Sequence, residues 1–213
     1  GMDTDRCGEG TGMNPFAWTA RSLTDLTMGL AGWRFEGELP SDPRYVLLGA
    51  PHTSTWDFFL LMAVRFHWNM HIRWMGKHSM FRGPLGPLMR ALGGLSIKRD
   101  ERHNTVAQVV EMIHRHPRIV IGLAPQGTRN PAARWKSGFY HIAHQAQIPI
   151  IMGFCDGPTK RVGLGPRLMP TGDIQADMRV LAEFYGPLKG VCPEKTAPVR
   201  LADSPSEASE RVT

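Results

Sequence analysis

Between Tyr45 and Phe154 the chain repeats one alternation: a short run of consecutive apolar residues, a polar turn, then a stretch with apolar residues at helical spacing. Tyr45-Val-Leu-Leu-Gly-Ala, Arg118-Ile-Val-Ile-Gly-Leu-Ala and Ile148-Pro-Ile-Ile-Met-Gly-Phe are apolar almost throughout rather than at every second position. That pattern belongs to strands covered on both faces. Ile72-Arg-Trp-Met and Leu95-Ser-Ile-Lys-Arg add shorter strands; helices are expected from Asp57 onward and over Pro84–Leu92, Thr105–His114 and Gly138–Gln145. Strands separated by helices call for crossover connections, so the pattern predicts an α/β fold, a single domain with a mixed, mostly parallel sheet flanked by helices.

Around this core, residues 1–13 are Gly-rich and polar and are expected to be flexible, the domain is expected over 14–186, and the proline-rich stretch 187–213 is expected to be a poorly ordered tail. Asn14-Pro15 supplies a helix start, after which Phe16, Ala20, Leu23, Thr27 and Leu30 fall at helical spacing. Such a face either packs on the core or lies on a membrane. Trp33-Arg-Phe-Glu reads as a half-buried strand, Arg161-Val-Gly-Leu as a weaker one, and Asp173–Tyr185 as the last helix, capped by Thr171 or Asp173.

A formal charge of +6 and a pI near 9.6 favour an anionic partner: nucleic acid, a phosphate-bearing small molecule or an anionic lipid surface. The lysines and arginines are dispersed and no recognition motif accompanies them, which argues against nucleic acid. No apolar run approaches the ~20 residues of a membrane span, and the opening residues lack a signal-peptide pattern, with Gly1 before Met2 resembling an expression scar. Cys7, Cys155 and Cys192 are too few and too separated for a disulfide framework or a zinc site, so a reducing cytoplasm is the expected compartment.

Sheets of this kind bind ligands at the carboxyl ends of their strands, and three polar turns follow such strands: His52–Asp57, Lys98–Arg99 and Gln126–Arg129. A histidine is a natural general base near neutral pH, and a carboxylate on its other ring nitrogen fixes the tautomer and stabilises the imidazolium. Chance alone supplies about 0.4 His–Asp pairs at this spacing, and an Asp57 that caps its helix beside a surface histidine would look the same. Ala124-Pro-Gln-Gly-Thr-Arg-Asn ends a buried strand with a glycine, a hydroxyl and a guanidinium, the donors that hold a phosphate, though a simple turn containing Arg129 also fits. Gly93-Gly94-Leu-Ser-Ile-Lys-Arg99 brings a guanidinium to another strand end, where a solvated charge is the plain alternative. His141 and His144 lack a third metal ligand nearby, and Ser54 lacks a nucleophile elbow. Trp56 and Trp135 read as core or rim packing that would also suit an acyl groove.

Taken in order, these blocks resemble the glycerophospholipid acyltransferase family, the lysophosphatidic acid acyltransferase-like proteins. His52 and Asp57 match the family's histidine, four residues and an aspartate; Gly93–Arg99 is similar to its Gly-rich approach to an Ile-x-Arg strand end, with Lys77 upstream. Pro125-Gln-Gly-Thr-Arg129 resembles its usual Pro-Glu-Gly-Thr-Arg, and Ile148-Pro-Ile-Ile-Met its apolar block with a central proline. The resemblance covers about half the chain. It implies a glycerol-3-phosphate acyltransferase-like fold and acyl transfer from a thioester on coenzyme A or acyl carrier protein to a hydroxyl of a lysophospholipid or glycerol phosphate. It further implies His52 as the base with Asp57 orienting it, and Arg99, Gly127, Thr128, Arg129 and Lys77 at the acceptor's phosphate. No metal or other cofactor is required, and the expected setting is the cytoplasmic membrane face, peripherally bound. Gln126 departs from the pattern: it keeps an acceptor oxygen but not the glutamate's charge, which implies altered activity or acceptor preference and admits a noncatalytic lipid-binding homologue.

Overall fold

The computed structural model describes residues 15–97, 102–127, 130, 132 and 134–202. Seven strands form one sheet: β1 (Arg34–Glu36), β2 (Arg44–Ala50), β3 (Ile72–Lys77), β4 (Gly94–Ile97), β5 (Ile119–Leu123), β6 (Ile150–Asp156) and β7 (Arg161–Leu168). Their spatial order is β1-β7-β6-β2-β5-β3-β4. Every neighbouring pair is parallel except β6 and β7. The mixed, mostly parallel sheet flanked by helices is therefore the observed architecture of a single α/β domain.

Two apolar layers explain the uninterrupted runs. Along β2, Val46, Leu48 and Ala50 face a core built with α4 (Arg102–Arg115), α5 (Gly138–Ala146) and α6 (Ile174–Tyr185), while Tyr45 and Leu47 face α2 (Trp56–His67). Successive strand residues point to opposite faces, so a strand covered on both sides has no position for a polar side chain. Helix α6 starts where Asp173 Oδ1 accepts the Gln175 and Ala176 amides, both at 3.0 Å; Thr171 instead accepts the Asp173 amide at 3.2 Å. This settles the cap on Asp173. A short helix, α3 (Gly86–Ala91), lies within the expected Pro84–Leu92.

Helix α1 (Pro15–Leu30) decides which side packs on the core. Its inner face carries Ala20, Thr24, Asp25 and Met28, whereas Leu23 and Leu30 of the apolar stripe are exposed together with Trp18 and Leu26. The cause is polar as well as apolar: Asp25 Oδ1 lies 2.6 Å from His67 Nδ1 on α2, and Phe35 of β1 stacks on that imidazole at 3.9 Å. Anchoring Asp25 turns the stripe outward.

The segment after Pro187 is a second departure. Leu188, Ala197 and Leu201 are buried, and Trp135 pairs with the far end through Trp135 N–H to Arg200 O at 2.7 Å and Ala202 N–H to Trp135 O at 2.9 Å. A polar, proline-rich composition concealed three anchoring apolar residues; residues 203–213, like 1–14, lie outside the described residues.

Candidate active site

The parallel strands β2, β5, β3 and β4 deliver their carboxyl ends to one edge of the sheet, in that spatial order. Beyond β2 the chain passes through a cis Ala50–Pro51 peptide into the His52–Thr55 loop and then α2, with Asp57 in its first turn. Asp57 Oδ2 accepts the amides of Thr53 at 2.7 Å and Ser54 at 2.8 Å, and lies 3.0 Å from His52 Nδ1. The aspartate thus holds the loop and the imidazole together; the amides it accepts precede α2, whose N-terminus has no side-chain cap. With Nδ1 committed to the carboxylate, Nε2 is the ring nitrogen left to meet a substrate. His52 is partly exposed, whereas Asp57 is nearly buried, with Oδ1 lacking a partner among the described residues.

Gln126, 2% exposed, sits behind His52: its Oε1 accepts the His52 amide at 2.8 Å. An amide oxygen performs this task as a carboxylate would, and without a charge to bury. Gly127, at φ +62°, turns the chain directly after it, and its own amide bonds Ala124 O at 3.2 Å. The glycine therefore shapes the turn while its N–H is already engaged. The Lys136 side chain rests against Gly127, a cation that the sequence blocks did not single out. Lys77 closes β3 two strands from β2 along the same edge, roughly 10 Å by ordinary strand spacing. Its side chain is outside the described part of the structure, and Arg99, Thr128 and Arg129 lie outside the described residues.

His52 and Asp57 stand at the mouth of a cavity of about 220 Å³ between the sheet and α2. Its sheet wall contains Gly49 of β2, Gly76 of β3, Gly122 of β5 and Gly153 of β6, and its opposite wall Phe58, Leu61 and Val64. Each of these glycines follows, two residues on, a side chain packed on the α2 layer: Leu47, Trp74, Val120 and Ile151. They therefore belong to that face, and their missing side chains leave room where neighbouring tiers are filled. The signal was present in the sequence, one glycine near the end of each apolar run, but strand patterning treats glycine as silent. Cys155 also lines the cavity; burial, with Asp57 and Asp156 nearby, pushes its thiol up to about 12, and Sγ donates to Pro51 O at 3.6 Å. It is a packed thiol and not a nucleophile at neutral pH.

The model of the family described as Acyltransferase matches residues 34–152, more than half of the chain, from β1 into the first residues of β6. The chain belongs to this Acyltransferase family. A 1-acyl-sn-glycerol-3-phosphate acyltransferase of Haemophilus influenzae is 26% identical over 145 residues, which cover 63% of this chain and 59% of that protein. The chain thus spans less than two thirds of that relative's length. The crystal structure of a 1-acyl-sn-glycerophosphate acyltransferase from Thermotoga maritima superposes with a TM-score of 0.56 at 14% identity, over 79% of this chain and 75% of the other. That likeness establishes a shared fold, and the family match agrees with the acyltransferase resemblance read from the four blocks.

Proposed function

We propose that this Acyltransferase family member moves a fatty acyl group from a coenzyme A or acyl carrier protein thioester to the free hydroxyl of a lysophosphatidic acid or glycerol phosphate acceptor. The observation that carries this reading is the His52 Nδ1–Asp57 Oδ2 contact of 3.0 Å at the mouth of an apolar, glycine-walled cavity. Nε2 of His52 takes the proton of the acceptor hydroxyl as its oxygen attacks the thioester carbonyl. The new C–O bond forms, the C–S bond breaks, and the proton passes from the imidazolium to the departing thiolate or to water. Asp57 holds the tautomer and stabilises the transient imidazolium. A thiol with an ordinary pKa of about 8.5 leaves without a dedicated acid. The acyl chain occupies the cavity beneath α2, and cations at the neighbouring strand ends, Arg99 and Arg129 with Lys77, hold the acceptor's phosphate beside Gly127 and Thr128.

Gln126 supports catalysis in this reading, because the bond it makes to the His52 amide needs an oxygen and no charge. A peripheral membrane setting fits as well. Trp18, Leu23, Leu26 and Leu30 of α1 and Trp56 and Phe59 beside the site are exposed apolar side chains on a chain of charge +6. No helix among the described residues is long and apolar enough to cross a membrane.

The experiment is transfer of a labelled acyl group from acyl-CoA and from acyl carrier protein to lysophosphatidic acid and to glycerol 3-phosphate, with wild type and His52→Ala. Product from the wild type and a loss of about 10²–10⁴-fold in His52→Ala is expected for removal of a general base. Equal turnover by both proteins refutes the assignment of His52. Binding of the acceptor with no turnover by the wild type, on either donor, supports the noncatalytic lipid-binding homologue instead.

A further inference from the structure

The net charge of the chain comes from one stretch. Of its 25 lysines and arginines and 19 aspartates and glutamates, residues 58–99 hold seven of the cations and none of the acids, which leaves 18 cations against 19 acids everywhere else. The cations are dispersed along the chain; the acids are missing from one part of it. That part runs through α2, β3, the 3₁₀ turn His78–Phe81, α3 and β4.

The same elements carry exposed apolar side chains at the mouth of the glycine-walled cavity. Trp56 and Phe59 of α2 and Leu85 and Leu88 around α3 each leave more than half of their surface in solvent, and Met80, also exposed, lines the cavity. A file of rings joins the two groups into one rim. Ring centre to ring centre, Trp56 lies 5.3 Å from Phe59, Phe59 6.0 Å from Phe58, Phe58 5.0 Å from Trp74 and Trp74 5.7 Å from Phe81, whose carbonyl accepts from Arg90 of α3 at 3.2 Å. Gly86 fixes which side of α3 faces out. A Cβ there would stand 2.3 Å from Phe81 O, so a glycine is what lets α3 press on that carbonyl; Met89 and Leu92 turn into the layer beneath α2, and Leu85 and Leu88 are left outward. Arg82, in the turn between Phe81 and α3, is exposed beside them.

The outer stripe of α1 is apolar too, but that helix carries no net charge: its charged residues are Arg21 and Asp25, 3.7 Å apart. Exposed apolar side chains among cations, with no acid between them, suit an anionic lipid surface, where the side chains enter the headgroup boundary and the cations meet the headgroups. We propose that the rim formed by the start of α2, Met80 and α3 is the surface on which the protein rests on an anionic bilayer, with the cavity mouth and His52 facing the lipid. Docked this way, an acceptor meets His52 with its headgroup still at the interface, and an acyl chain enters the cavity without crossing water. The inference rests on the peripheral setting proposed above and names its surface; it does not depend on turnover.

The test is co-sedimentation of the full chain with vesicles of phosphatidylcholine and with vesicles of equimolar phosphatidylcholine and phosphatidylglycerol. Wild type is expected to bind the anionic vesicles, and to bind them less as salt is raised. Leu85→Gln/Leu88→Gln is expected to weaken that binding about tenfold or more and Arg82→Gln about fivefold, with circular dichroism unchanged because all three side chains are exposed. Leu23→Gln/Leu26→Gln on α1 is expected to leave binding nearly unchanged. Loss of binding in the α1 pair with the α3 pair binding as wild type keeps the membrane setting and overturns the rim. Wild type that binds neither vesicle overturns the setting and the rim together, and equal binding to both vesicles overturns the part given to charge. Binding of acyl carrier protein that the α3 pair loses, with vesicle binding unchanged, assigns the rim to a protein partner and overturns the proposal.

Discussion

Thr53 Oγ1 accepts the amide of Cys192 at 3.1 Å, joining the loop that carries His52 to a segment 139 positions later. Thr53 is buried, its own amide is held by Asp57, and Gly190 lies so close that a Cβ there would stand 2.3 Å from the threonine's Oγ1 and Cγ2. The stretch from Lys189 to Ala202 therefore straps the His52 loop from behind, fastened at its other end by the Trp135–Leu201 bridge.

Thr53→Val tests the strap at constant shape. The valine fills the same space but leaves the Cys192 amide without its acceptor, a loss of about 1–3 kcal/mol for an unsatisfied buried group. Chemical denaturation is expected to show that loss, and turnover is expected to fall with little change in KM, because the acceptor-binding groups are untouched. Gly190→Ala is expected to be worse, since backbone and side chain collide. A Thr53→Val protein as stable and active as wild type would show that the strap contributes nothing.

Gln126 separates charge from geometry. Gln126→Glu keeps an oxygen for the His52 amide and is expected to stay within about tenfold of wild-type kcat, whereas Gln126→Leu, which orphans that amide, is expected to lose about 10–100-fold. Steady-state kinetics of the two variants decides the point; a leucine variant more active than the glutamate variant contradicts the role given to the oxygen.

Gly49 offers a way to shorten the cavity. A Cβ built there meets nothing closer than Leu123 O at 3.9 Å, so a side chain is accommodated and projects into the space beneath α2. Gly49→Val is expected to shift preference toward shorter acyl donors with folding intact. Competition between long and short acyl thioesters measures it, and an unchanged ratio would place the acyl chain elsewhere. Gly153 is less suitable, because a Cβ there stands 2.9 Å from Leu47 Cδ1.

The sequence made the sheet, the His52–Asp57 turn and its convergence with the Gln126 turn legible, because apolar runs buried on both faces leave a pattern that tertiary context cannot easily override. Four features were not legible for physical reasons. Helix α1 has two apolar-compatible faces, and the inward one carries Asp25, whose contact with His67 spans 42 positions. The segment after Pro187 is held by three apolar residues spaced without period, which composition averages away. The glycine floor is a void, and patterning reads side chains that are present. The acceptor oxygen that Gln126 keeps has its partner in the His52 amide, a pairing invisible until the two turns are side by side.

The cysteines give a simple check on packing. Burial holds the Cys155 thiol near 12, so it is expected to resist iodoacetamide at pH 8 in the folded protein, while Cys192, partly exposed, reacts. Peptide mass spectrometry of a Cys7→Ser background reads both sites, and rapid labelling of Cys155 before Cys192 would contradict the packing around Pro51.

Asp156, at the end of β6, ties the strap to the sheet and gives it an acid limit. Burial raises its pKa, but the Thr159 hydroxyl, the Lys189 amide at 3.1 Å and Arg161 at 3.6 Å outweigh burial and hold the carboxyl below its ordinary value of 3.8. A carboxyl depressed in the folded state contributes stability that is fully present above the unfolded value and is lost as pH falls through the folded one. Asp156→Asn retains an acceptor for the Lys189 amide and removes the titration. Wild type is therefore expected to be the more stable protein at pH 7, and its advantage to shrink as pH drops below about 4, where the unfolded carboxyl begins to bind protons. Urea unfolding of both proteins at pH 7, 5, 4 and 3 measures this difference; an advantage that stays constant down to pH 3 would show that the Asp156 charge takes no part in holding the strap.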